Sequence, residues 1–486
     1  MNQTVFIRKQ PAAPARPRAI AYAVALTVAA LAGCTSLIPS MQRPTAPVPA
    51  QFADAGVATP GQAVAADLEW RNFFSDARLR QLIGIALNNN RDLRVAVLNI
   101  ESARAQITVR AADQFPTISL SGSASRTPVT VSGRTVGVNT YSAGLAESAW
   151  ELDFFGRLGS LTEAARAQFL GTEEARKAAQ ISLVASVAST YFNLLADEEL
   201  LTLAQQTLAT REDSFKLTHL KFTNGVASGL DDAQAQSLVE AARVSLSQVQ
   251  RQRAQDQNAL ALLLGQPLPA DLPAAPTLEK SQMSTELAAG LPSEVLQRRP
   301  DIRQAEQALL AANANIGAAR AAFFPRITLT SSIGTASSQL AGLFKAGSWA
   351  AAVSPLLIAL PIFDAGRNEA NLAVAKVQRE VALAQYEKAI QSAFREVSDA
   401  LAGRATLGEQ LRAQTAQAAA DSERFRLSDL RYRNGVASYL DLLDAQRSLF
   451  ATQQATIQTR LLQMQNQVAL YRVLGGGYTE PGTGSR

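Results

Sequence analysis

The sequence predicts a mainly α-helical fold carrying a four-stranded transmembrane β segment, and three observations support this. First, Asn224-Gly225-Val226-Ala227-Ser228 returns letter for letter as Asn434-Gly435-Val436-Ala437-Ser438, at an offset of 210. Leu264-Gly265 and Leu474-Gly475 share that offset, as do Gly156-Arg157 and Gly366-Arg367, and Phe115-Pro116 precedes Phe324-Pro325 by 209. One unit is therefore written twice. Second, Leu158–Phe222 and Arg367–Tyr432 lack proline and space their apolar residues as coiled coils do, with Val184, Val187, Tyr191 and Leu194 in one and Val374, Val377 and Val381 in the other. Third, each Phe-Pro is followed by a run that alternates polar and apolar residues, the two-residue rhythm of a strand.

Taken in order, Arg8, Lys9, Arg16 and Arg18 precede an apolar run from Ala19 to Leu31, and Leu31-Ala32-Gly33-Cys34 follows. Residues 1–33 read as a secretory signal, since the apolar run falls short of the roughly 20 residues of a permanent span. Residues 34–66, rich in Pro and Ala, read as an extended tether. The first repeat covers 67–265. It opens with Trp70 and a short helix through Leu79, Leu82, Ile83 and Leu87, followed by a helix from Asp92 that Pro116 ends.

Strands are predicted at about 117–127 and 141–152, with a turn-like Arg126–Thr140 between them and a slip in the alternation near Glu147. The long helix that follows would reach roughly 100 Å at 1.5 Å per residue. It turns at 224–228, and a shorter helix returns. Residues 266–294 are a linker. The second repeat, 295–475, repeats the plan with strands at about 326–335 and 352–363 and a hairpin tip at 434–438, Pro355 and Pro361 weakening the last strand. Residues 476–486 are expected to be a flexible tail.

At each tip Asn-Gly supplies left-handed residues that end a helix, and Ser228 or Ser438 starts the next. Asp231 and Asp441, three residues on, complete a near capping box. In the strands, Ile118, Leu120, Gly122 and Ala124 alternate with Ser119, Ser121, Ser123 and Ser125, which suits a wall between lipid and water. Each unpaired backbone group costs several kcal/mol in lipid, and four strands do not close a barrel, so strands must come from other copies of the chain.

Composition removes other classes. Four of the positive charges behind the net +5 lie in the removable segment, leaving about +1, so nucleic-acid binding loses its main support. Cys34 and His219 are the only residues of their kinds. Intrachain disulfides and Cys/His zinc clusters are therefore excluded, and His219, amid Lys216 and Lys221, reads as a solvated helix position. No catalytic or nucleotide-binding fingerprint is present, so neither enzymatic activity nor a cofactor is expected.

These residues resemble the TolC-like outer membrane factors, in particular the lipoprotein branch of OprM- and NodT-type efflux proteins. The likeness rests on Leu31-Ala32-Gly33-Cys34, Arg299-Pro300-Asp301-Ile302, Phe324-Pro325, Pro361-Ile362-Phe363-Asp364-Ala365-Gly366-Arg367, and the stretch from Tyr432-Arg433-Asn434-Gly435 to Asp444-Ala445-Gln446-Arg447. It implies that Cys34 carries diacylglyceryl and N-acyl lipid. It also implies a homotrimer in the outer membrane, closing a 12-stranded β-barrel continued by a periplasmic α-barrel, with a periplasmic adaptor and an inner-membrane resistance-nodulation-division pump as partners.

In such proteins the hairpin tips, here Asn224, Gly225, Ser228, Asn434, Gly435 and Ser438, ring a periplasmic entrance. Arg431 and Tyr432 match entrance residues linked to a neighbouring helix, Asp444 and Arg447 match a second constricting set, and Asp231 and Asp441 match aspartates lining the opening. Ala437 departs from TolC, which has an arginine there. The residues alone also allow Asp231 and Asp441 as simple caps and Asp444 with Arg447 as a surface pair. A type I secretion duct for proteins and a periplasmic coiled-coil scaffold lipoprotein are the alternative readings.

Overall fold

The computed structural model describes residues 36–52, 68–131, 133–281, 283, 293–353 and 357–478. The expected signal peptide and Cys34 lie outside these residues, as do 53–66 of the tether, 284–292 of the linker and 479–486 of the tail. In chain order the elements are α1 (Trp70–Phe73), α2 (Ala77–Asn89), α3 (Arg91–Ala112), β1 (Ile118–Val131), β2 (Arg134–Glu151), α4 (Arg157–Thr223) and α5 (Gly229–Leu264). The second half supplies α6 (Pro300–Ala321), β3 (Arg326–Ser337), β4 (Trp349–Val353), β5 (Leu357–Ala359), α7 (Arg367–Arg433) and α8 (Tyr439–Val473). The long helices α4 and α7 have 67 residues each, as a duplicated unit requires.

The chain divides into two compact units, each drawing on both halves. One comprises Met1–Arg43, Ala103–Phe169 and Ala308–Leu383, the other Pro44–Ser102, Leu170–Gln307 and Ala384–Arg486. The first holds an antiparallel sheet in the order β1-β2-β3, with β4 and β5 both along the far edge of β3. β1 and β2 pair without a break from Ile118↔Glu147 to Val131↔Arg134. The turn expected over Arg126–Thr140 is therefore wrong. Pro128 is accommodated because β1 is an outer strand and needs backbone partners on one side only.

The slip at Glu147 is a bulge, where the register with β3 shifts between Glu147 and Trp150 and Ala149 takes φ 56. Gly144 faces Gly334 so closely that a Cβ on Gly144 would lie 2.6 Å from the Gly334 Cα. In place of the expected fourth strand stand β4, which begins at Trp349, earlier than expected, and β5, which ends at Ala359, before Pro361; Pro355 lies outside the described residues. Leu120, Leu145 and Ile333 are exposed, as suits a sheet whose aliphatic side chains face lipid.

In the second unit the core gathers where the ends of the long hairpins meet α1 and α2. Phe73 stacks on Tyr471 at 4.0 Å, with Phe74 edge-on to both. Asp76 caps α2 through the N–H groups of Arg78 and Leu79 and accepts the Tyr191 hydroxyl at 2.6 Å. Arg299, buried, donates to Asp301, Glu396 and the Val473 carbonyl, so the Arg-Pro-Asp motif ties α6 to α7 and α8. The first residues of the expected tail are held here, because Arg176 donates to the Tyr478 hydroxyl at 2.9 Å and lies over its ring.

Candidate functional site

Both hairpin tips lie in the second unit, and their backbones are alike. Gly225 and Gly435 have φ 74 and φ 72. Val226 N–H donates to the Lys221 carbonyl at 2.8 Å and Val436 N–H to that of Arg431 at 2.9 Å, while each glycine N–H donates three residues back. This is the Schellman closure of a helix. Only the glycine is left-handed. Asn224 and Asn434 contribute instead through their side-chain amides, which donate to the carbonyls of Leu220 and Leu430 at 2.7 and 2.8 Å, correcting the expectation that both residues of Asn-Gly are left-handed.

The returning helices begin with full capping boxes. Ser228 Oγ accepts from Asp231 N–H at 3.1 Å, and Asp231 Oδ2 accepts from Ser228 N–H at 3.2 Å. At the second tip the corresponding distances are 3.3 and 3.2 Å, between Ser438 and Asp441. The two aspartates thus serve as caps, and Asp441 remains exposed beside its tip.

The tips differ in what surrounds the caps. Tyr432 is 6% exposed and packs with Ala235, Leu238, Tyr439, Leu442 and Leu443, against Phe215, Leu217 and Phe425. Its hydroxyl shares a buried hydrogen bond of 3.1 Å with Thr218 Oγ1 of α4. Lys221, also on α4, places its ammonium 3.9 Å from the Tyr432 ring centre and donates to the Tyr432 carbonyl at 3.3 Å. Three contacts from the first hairpin therefore hold one residue of the second, two at its side chain and one at its carbonyl. Burial, and then the neighbouring Tyr432, push the Tyr439 hydroxyl up to about 12, so the Tyr439 phenol stays neutral at neutral pH.

Asp444 forms its ion pair with Arg424 of α7, across the second hairpin, and not with Arg447. Among the described residues Arg447 and Arg431 have exposed side chains with no ion pair. His219 is exposed, with Nδ1 2.9 Å from Asp232. Thr218, Lys221 and Arg424 went unrecognised in the sequence because nothing local marks a threonine, lysine or arginine on a long helix as a partner for a residue on another. No cluster of His, Cys, Asp and Glu among the described residues could hold a metal.

An apolar fringe completes the site. Val226, Leu230, Val436 and Leu440 are all exposed at the two tips, in equivalent positions of the repeat. Such repeated exposed aliphatics suit a docking surface better than a solvated helix end.

Comparison with known proteins agrees with the geometry. The profile of the outer membrane efflux protein family matches twice, over residues 82–266 and 291–476, one match per repeat. The toluene efflux pump outer membrane protein TtgC and the antibiotic efflux pump outer membrane protein ArpC, both of Pseudomonas putida, are each 49% identical, covering 94% of this chain and 95% of their own. The open-state crystal structure of the MtrE outer membrane channel of Neisseria gonorrhoeae has 42% identity and a TM-score of 0.81, covering 91% of this chain and 98% of its own.

Proposed function

The chain belongs to the outer membrane efflux protein family, and on that premise we propose that it is the outer membrane channel of a tripartite efflux system, a passive duct through which small molecules leave the cell. Aromatic hydrocarbons and antibiotics, the cargo named for its relatives, are the class to test first. The observation that carries the reading is the clamp of Thr218 and Lys221 on Tyr432. A gate needs links that hold helices together yet exchange cheaply with water. One neutral hydrogen bond and one cation–π contact, each contributing about 1 kcal/mol, have that character.

The sheet supports assembly as a trimer. Four strand lanes leave β1 and the β4/β5 lane as open edges, and edges in lipid are costly. Three copies would close them into 12 strands. The exposed Val226, Leu230, Val436 and Leu440 suit contact with a periplasmic adaptor, through which an inner-membrane resistance-nodulation-division pump would supply the energy. A lipid anchor on Cys34 would fix the chain to the outer membrane.

Entrance charge refines the reading. Because Arg424 meets the charge of Asp444, exposed Asp441 is the residue to set a cation preference. Reversal potentials under a salt gradient should show that preference and lose it in Asp441→Asn. The functional test is a deletion strain challenged with toluene and a panel of antibiotics. Increased sensitivity of the deletion strain, reversed by the full-length chain, is the expected result. Unaltered sensitivity with loss of an exported protein would instead indicate a secretion duct.

A further inference from the structure

Above the tips, a cavity of about 180 Å³ opens between α4, α7 and α8, lined in part by Leu203, Arg211, Phe425, Gln446, Leu449 and Phe450. Two polar groups in its wall have unmet hydrogen bonds of opposite sense. Arg211 is 6% exposed and donates through Nη1 to the Leu238 carbonyl at 3.2 Å, but its Nε is buried without an acceptor. Gln446, also 6% exposed, donates through Nε2 to Ser214 Oγ at 2.9 Å, while its Oε1 is buried without a donor.

Arg211 also lacks a counter-charge among the described residues. Acids near it in the chain or on the facing helices are engaged elsewhere, Glu212 with Arg243, Asp444 with Arg424, and Asp421 with Thr452. Burial, reinforced by the positive charge of Arg447, lowers the pKa of the guanidinium. A buried cation without a carboxylate is costly, and an arriving anion would recover much of that cost. Leu203, Phe425, Leu449 and Phe450 form an apolar part of the wall beside Gln206, Thr207, Thr210 and Gln453, and Phe450 lies 5.3 Å beneath the guanidinium, so an inorganic ion would leave most of the cavity unfilled.

We infer that this cavity is a binding site for a small aromatic carboxylate bearing a hydroxyl group, its carboxylate accepting from Arg211 and its hydroxyl donating to Gln446. The volume accommodates a single ring and excludes nucleotides. A ligand there touches α4 of the first hairpin and α7 and α8 of the second, so occupancy ties the hairpins together and favours the closed entrance.

Titration calorimetry of 4-hydroxybenzoate into the purified full-length protein in detergent tests this without any transport step. Saturable binding is expected, weakened about tenfold or more by Arg211→Gln and to a similar degree by replacing the ligand with phenol. Benzoate, which lacks the donor for Gln446, should bind several-fold more weakly. Gln446→Glu places a carboxylate in the cavity, and should abolish binding while raising the melting temperature, which keeps the test open should Arg211→Gln not fold. Absence of binding at millimolar ligand, unchanged affinity in Arg211→Gln, retained affinity in Gln446→Glu, or equal binding of inorganic phosphate would each overturn the inference.

Discussion

The two hairpin tips share five residues, one Schellman closure and one capping box, yet their surroundings differ. Phe222 is 41% exposed where its counterpart Tyr432 is 6% exposed, and exposed Gly229 stands where Tyr439 is buried. Backbone chemistry at a turn is local, so both copies kept it. The contacts between hairpins need only one copy to supply the inserted side chain, so the second tip took the aromatic pair and the first took its receptors, Thr218 and Lys221. Duplication thus produced two equivalent turns and one lock.

Four experiments probe that asymmetry. The largest effect is expected from truncation. Tyr432→Ala should lower stability by about 3–5 kcal/mol, as loss of a buried aromatic does, whereas Phe222→Ala should cost less than about 1 kcal/mol. Equal melting temperatures for the two variants would remove the asymmetry. The next effect is on gating. Tyr432→Phe removes the bond to Thr218, worth about 1 kcal/mol, and should raise the open fraction in planar bilayers roughly five-fold. Arg447→Ser, which breaks no ion pair, should add little, and a larger response to Arg447→Ser than to Tyr432→Phe would relocate the lock.

At the caps the two tips should behave alike. Ser228→Ala and Ser438→Ala are each expected to cost about 1 kcal/mol by thermal denaturation, and a clear difference would show that the caps are not equivalent. A pH effect separates the hairpins higher up. Asp197, on α4, is pushed up from 3.8 to about 7 by burial and by Asp256, where the second hairpin carries Leu407 and Asn466. The folded state therefore binds this proton more tightly than the unfolded chain. Asp197 should make stability fall as pH rises between 3.8 and about 7, with the penalty complete above that range. Asp197→Asn should flatten the pH profile of the melting temperature there, while Leu407→Ala should leave its slope unaltered.

Much of this protein was legible in the chain. The repeat located both tips, and a serine three residues before an aspartate foretold both capping boxes, since caps depend on residues a turn apart. The four long hairpin helices likewise emerged close to their expected bounds. The β-hairpin was underestimated because Pro128 and Gly137 signal turns by local preference, whereas in the fold they pair across β1 and β2 and the ladder overrides that preference.

The lock lay beyond such reading. Thr218 and Tyr432 are 214 residues apart, and no period or motif connects them. Asp444 had an eligible arginine three residues away in Arg447, yet helix packing offered Arg424 from the facing helix. Spacing along the chain thus settled which residues form each turn, because those hydrogen bonds close within six residues. Which side chains meet between hairpins was settled by packing, because burial and partner choice depend on which helix faces arrive together.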